Sequence, residues 1–201
     1  MRKGHRGDLL VNRVTGERSL TLVGTGDGEG DRLVAVAWIQ PGGRVAGEHF
    51  HPSLSERFRV LSGKLEMSLD GRRQTVGQGG DVTIPPNVVH DFWNEGDEEV
   101  EILLDIEPGR RFELMISTLW GLANDGKTNA KGMPGPLRLA VIADEFDDII
   151  RFTKPPPLVQ RALLPPLAAL GRARGYRPYY PEYLEPAGRE EPDPAVLALV
   201  D

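Results

Sequence analysis

Between Leu9 and Ile106 the apolar residues come in short runs, each closed by turn residues, and no helical period is sustained across them. The runs are Leu9 to Val14, Leu20 to Val23, Leu33 to Ile39, Arg57 to Leu61, Lys64 to Leu69, Arg72 to Val76, Val82 to Ile84, His90 to Trp93 and Val100 to Ile106. Their connectors supply what tight hairpins need: Thr15-Gly16, Ser62-Gly63, Asp70-Gly71 and Gly79-Gly80 all offer a residue that tolerates positive φ. This half of the chain is therefore expected to be all-β, a sandwich or barrel. The glycine-rich stretch GTGDGEGD at 24–31 is read as a flexible loop, because it lacks the strand-then-helix setting of a phosphate cradle.

After Pro108-Gly109 the period changes. Phe112, Met115, Ile116, Leu119 and Leu122 recur at helical spacing, which predicts an amphipathic helix lying on the barrel and stopping near Asn124-Asp125-Gly126. A second helical segment is expected from Leu137 to about Ile150, with Asp144, Glu145, Asp147 and Asp148 on its wetter side. Pro155-Pro156-Pro157 then breaks the chain, and Pro165-Pro166 is expected to interrupt any helix through ALLPPLAAL. The last stretch, GREEPDPAVLALVD, reads as a tail.

Composition removes several functions. The net charge of −6 argues against a phosphate-backbone footprint, so nucleic acid is not an expected partner. With no cysteine there is no disulfide, no thiolate catalysis and no zinc-thiolate site. No apolar run approaches the ~20 residues of a membrane span, and the N-terminus lacks an apolar core of secretory length. A soluble cytoplasmic protein is expected.

Any metal must then be held by His, Asp or Glu. Of the four histidines, His49 and His51 are spaced by two, which on an extended strand turns both imidazoles to one face. Glu56 follows the turn Pro52-Ser53-Leu54-Ser55 and can fold back toward them, while His90 heads another expected strand. Three imidazoles and a carboxylate suit one divalent transition metal ion (Fe, Mn, Ni, Zn or Cu) with coordination positions to spare. A His-x-His pair taken alone reads better as a surface turn or a hydrogen-bonded core pair.

The wider spacing adds to this. From Gly43 the chain reads G-x5-H-x-H-x4-E-x6-G, ending at Gly63; from Gly79 it reads G-x5-P-x-N-x2-H-x3-N through Pro85, Asn87 and His90 to Asn94. Over residues 33–107 the chain thus resembles the cupin superfamily, departing only at Asn87, where the family pattern has glycine; asparagine tolerates the left-handed conformation. The resemblance implies a double-stranded β-helix, a small jelly-roll barrel, with a metal in its mouth on His49, His51, Glu56 and His90. The expected division is a barrel domain over 1–107 and a helical extension over 108–201 packed on it and ending in a flexible tail. This extension is similar to that of uncharacterised bacterial cupins. Glu48, Asp91 and Asn94 are candidates to orient the imidazoles.

Strand alternation from Glu56 and from His90 places Phe58, Val60, Val88 and Phe92 on the inward face, predicting an apolar substrate pocket, with Arg57 and Arg59 pointing outward. The functional expectation is a metal-dependent oxygenase acting on a small organic molecule, with Glu56 as ligand or, if freed, catalytic base. The alternatives are isomerase or lyase chemistry by Lewis-acid polarisation, a non-catalytic ligand sensor or carrier, and an interaction module scaffolded by the barrel. A homodimer is expected. Residues 151–177 carry six Lys or Arg and no Asp or Glu. They are expected to pack on the barrel or a second subunit, their arginines meeting Asp144 to Asp148, in preference to lying on an anionic membrane surface.

Overall fold

The computed structural model describes residues 3–28 and 30–200. Ten strands come first: β1 (Asp8–Val11), β2 (Arg18–Val23), β3 (Leu33–Ile39), β4 (Arg44–Phe50), β5 (Ser55–Ser62), β6 (Lys64–Leu69), β7 (Arg72–Gly77), β8 (Asp81–Ile84), β9 (His90–Trp93) and β10 (Val100–Glu107). Then follow α1 (Arg110–Asn124), α2 (Pro136–Glu145), β11 (Arg151–Phe152), α3 (Pro157–Ala173), β12 (Gly188–Arg189) and α4 (Pro194–Leu197). The strands form two antiparallel sheets, ordered β12-β1-β2-β3-β10-β5-β8 and β11-β4-β9-β6-β7. This is the double-stranded β-helix that the motifs imply, followed by C-terminal helices.

Alternation sets the layers. On β3, Leu33, Ala35, Ala37 and Ile39 turn toward the barrel interior, while Val34 and Val36 turn outward with Leu22 and Leu103. The β6–β7 hairpin is closed by Asp70 and Gly71, both at positive φ (46° and 77°), as a two-residue primed turn requires. Asn87, too, sits at φ 69°, so the position where the family pattern has glycine keeps the left-handed turn.

One core cluster fills the barrel, with Phe58, Val60, Leu65, Met67 and Ile102 all at 1 % exposure or less. A second joins the barrel to the extension: Leu33, Leu54 and Ile106 meet Leu114, Met115 and Leu122 of α1 and Ile142 of α2, together with Phe146 and Ile149.

Several expectations change. The strand carrying His49 gave no run of its own, because RVAGEHF alternates poorly and contains glycine. The second helix stops at Glu145, short of Ile150, and the chain then re-enters the sheet: β11 pairs with β4, Arg151 opposite Phe50 and Phe152 opposite His49. Pro165 and Pro166 do not interrupt α3. Prolines at these positions leave the carbonyls of Arg161 and Ala162 without helical donors, but all four residues are exposed, so water can satisfy them. That helix packs on α2 rather than on the barrel, through Ala168 against Ala140 and Val141, and Gly171 lies where a Cβ would stand 2.6 Å from the Leu137 carbonyl oxygen. Arg172 and Arg151 do meet Asp144 and Asp147. Leu158, Leu163 and Leu170 stay exposed. Where a tail is expected, β12 pairs with β1, and Val196, Leu197, Leu199 and Val200 cover the outward-facing Val34 and Val36. No helix of the described residues is long and apolar enough to cross a membrane.

Candidate metal centre

The local fold brings the three motif histidines and Glu56 together. In the β4–β9 pair the register passes from Val45 opposite Phe92 to His49 opposite His90, so β4 carries two more residues than its partner over this stretch. Gly47 occupies that bulge at φ 77°, a conformation that favours glycine, and its carbonyl accepts a hydrogen bond from His49 Nδ1 at 2.6 Å. The bulge places His49 directly across from His90, with ring centroids 4.3 Å apart. His51 lies just past the end of β4, and Glu56 arrives from the opposite sheet on β5, beside Ile106 of β10. All four side chains are buried, and their ligand atoms lie within 4.8 Å of one another.

Each imidazole is fixed in the same way. His49, His51 and His90 direct Nδ1 to the backbone carbonyls of Gly47, Ile149 and Val88 at 2.6, 2.6 and 3.0 Å. A carbonyl oxygen only accepts, so Nδ1 carries the proton and Nε2 of the neutral ring presents its lone pair to the centre. His51 Nε2 and His90 Nε2 lie 3.2 and 3.1 Å from the same Glu56 oxygen. The His51 nitrogen is buried and misaligned for a hydrogen bond. Lone pairs turned on one carboxylate call for a shared cation, and this donor set fits a divalent metal ion.

Burial works to raise the Glu56 carboxyl, yet His51 and His90 outweigh it and hold the group well below the usual carboxylate range. Burial, reinforced by His90 and His51, pushes His49 down to about 3, keeping it neutral. For His51 burial acts downward, but the attraction of Glu56 prevails and its pKa is raised. A proton on His51 competes with a metal ion for this place.

The candidates expected to orient the imidazoles do other work. Glu48 accepts a hydrogen bond from Thr153 Oγ1, Asp91 pairs with Arg44, and Asn94 donates to the carbonyls of Ile39 and Glu98. Backbone carbonyls orient the rings instead, one of them supplied by the extension through Ile149.

A cavity opens from His49 and Glu56 between the inner face of the seven-stranded sheet and α1. Ala35 and Ala37 on β3 leave the space, and Phe112, Ile116 and Trp120 on α1 wall it. Of the four residues expected to line a pocket, Phe92 does so; Phe58, Val60 and Val88 pack into the barrel core away from it, Phe58 edge-to-face with Phe92 at 4.9 Å. Arg57 pairs outside with Asp81. Sequence reasoning missed Phe152, whose ring centroid lies 6.2 Å from that of His49, and the cavity role of α1; the apolar face of that helix was legible, its partner was not.

Residues 35–107 match the family described as Cupin domain. The chain is 35 % identical over 76 residues to the polyketide synthase CurC of Streptomyces cyaneus, 38 % of this chain and 49 % of that protein, so it spans about half of that relative's length. It is 32 % identical over 102 residues to protein SchB of Streptomyces halstedii, covering 50 % of this chain and 73 % of that one. Among solved structures it is similar to a predicted oxalate decarboxylase from Thermotoga maritima, with a TM-score of 0.44 at 20 % identity, over 51 % of this chain and 91 % of the other. The motif spacing, the barrel, the family match and the likeness to protein SchB together make the chain a member of the cupin superfamily.

Proposed function

We propose that the chain binds one divalent transition metal ion at His49, His51, Glu56 and His90 and works as a metal-dependent oxygenase on an apolar, oxygen-bearing organic molecule of polyketide type. The observation that carries this reading is the convergence of the three Nε2 atoms and the Glu56 carboxylate at the end of an apolar cavity. Resemblance to CurC supports the substrate class. An ion of this kind, when bound, supplies substrate chelation and the one-electron chemistry that dioxygen needs.

The chain's own residues set the conditions. The carbonyls of Gly47, Val88 and Ile149 hold the imidazoles in one tautomer and one orientation, which lowers the reorganisation needed at the site. Phe92, Phe112 and Phe152 keep water from its approach. Glu56 is anionic and buried; displaced toward a bound substrate, it is the group able to take a proton from a hydroxyl.

Oxygen uptake by the iron-supplied protein against a panel of polycyclic phenols tests the reading. Uptake with at least one member is expected, lost in Ala35→Phe, which fills the cavity, while bound metal is unchanged. Tight binding of panel members by metal-loaded protein without any oxygen uptake or product would instead support a carrier or sensor.

We also propose a homodimer, because β7 and β8 are free edges of the two sheets in the described residues and Val159, Leu163 and Leu170 leave an apolar face on α3. Light scattering at micromolar concentration should give twice the chain mass of 22.1 kDa; the mass of a single chain would refute it.

A further inference from the structure

We propose that Glu17 is a second anchoring point in the cavity, selecting a ligand that carries a hydroxyl or amine at the end remote from the metal cluster. For the near end of the ligand this rests on the metal-site reading; for the far end it rests on Glu17 alone.

Glu17 lies just before β2, is 6 % exposed and lines the same cavity as His49 and Glu56. Among the described residues its side chain has one hydrogen-bond partner, Thr15 Oγ1, which donates to Oε2 at 2.8 Å. Among the described residues no cation pairs with it. The other charged groups on the cavity wall are otherwise engaged or exposed: Arg18 pairs with Glu99, Arg44 with Asp91 and Glu113 with Thr25, while Lys131 is exposed. Burial accordingly pushes the Glu17 carboxyl up, with Thr15 offsetting part of the effect. A buried carboxylate with so little protein support is unfavourable unless something else donates to it.

Strand register sets the span. Glu56 is opposite Ile106, and Ile106 is opposite Leu33, so the metal cluster is level with the start of β3. Arg18 is opposite Trp38, which puts Glu17 level with Ile39 at the other end of that strand. Six residues of strand correspond to roughly 20 Å. Between the two ends the wall is largely apolar or small, with Ala35, Ala37, Ile116 and Trp120. An elongated apolar molecule with chelating oxygens at one end and a hydrogen-bond donor at the other would match both.

The test uses the 201-residue chain supplied with Zn²⁺ and five probes in titration calorimetry: dodecylcatechol, its ω-hydroxy and ω-methoxy derivatives, and the catechol dimethyl ethers of the first two. The ω-hydroxyl should tighten binding about tenfold with either head, the gain expected of one hydrogen bond to a carboxylate. Glu17→Leu should erase that gain and Glu17→Gln, which still accepts, should keep part of it; the preference for free catechol over its ether should be the same in all three proteins. An ω-methoxy tail, which cannot donate, should lose the gain in the unmodified chain even if Glu17→Leu does not fold. No tail effect in the unmodified chain, or a tail effect that survives Glu17→Leu, overturns the proposal. Loss of the head preference alone counts against the metal reading, and a tail preference retained on the ethers then still supports Glu17.

Discussion

His51→Ala is expected to weaken metal binding by roughly 100-fold or more, measured by competition with a chromophoric chelator. The ion loses one of four donors, and since disturbing only the Ile149 contact that orients this ring would cost about 10- to 100-fold, losing the ring itself costs at least the upper end of that range. His5→Ala provides the contrast. His5 hydrogen-bonds to Asp27, outside the cluster, so its removal should leave metal binding unchanged. Equal affinities in the unmodified chain and the His51 variant would remove that residue from the site.

Phe146→Ala is expected to destabilise the protein by about 3–5 kcal/mol, since a fully buried aromatic side chain leaves a cavity that its neighbours only partly fill. Phe146 sits between α2 and the segment that leads to β11, packed among Met115, Ile142 and Ile149. The amide of Ile149 donates to the Phe146 carbonyl, and the Ile149 carbonyl in turn accepts from His51. Loosening this segment should therefore also lower metal affinity by about 10-fold, although Phe146 touches none of the ligands. Chemical denaturation with and without metal measures both effects. A loss below about 1 kcal/mol with unchanged metal affinity would mean that the extension is not part of the site's support.

The extension is also where sequence and structure part company. His49, His51, Glu56 and His90 were legible because ligand chemistry restricts residue type and the motif fixes their spacing. Leu33 to Ile39 was legible as a continuous apolar run and Val100 to Ile106 as an apolar-rich one interrupted by Glu101 and Asp105, each flanked by turns. The strand at Arg44–Phe50 was not, since a bulge with Gly47 breaks its alternation, yet that bulge is what sets His49 against His90. The groups that orient the imidazoles were not legible at all: every residue has a carbonyl, and only the fold selects those of Gly47, Val88 and Ile149. Phe58 and Val60 were expected at a pocket because alternation points them inward; the core takes them, and the cavity forms where Ala35 and Ala37 are small and α1 forms the opposite wall. The continuous α3 shows the limit of a local rule, because Pro165 and Pro166 lie on an exposed side of the helix where missing donors are replaced by water.

X-ray absorption at the metal edge of the purified, metal-loaded chain tests the central claim most directly. About one ion per chain is expected, with three imidazole nitrogens and a carboxylate oxygen at ~2.0–2.2 Å, and loss of the imidazole scattering in the His49→Ala/His51→Ala variant. A chain that takes up no ion at this site, or an imidazole signal unchanged in that variant, would contradict it.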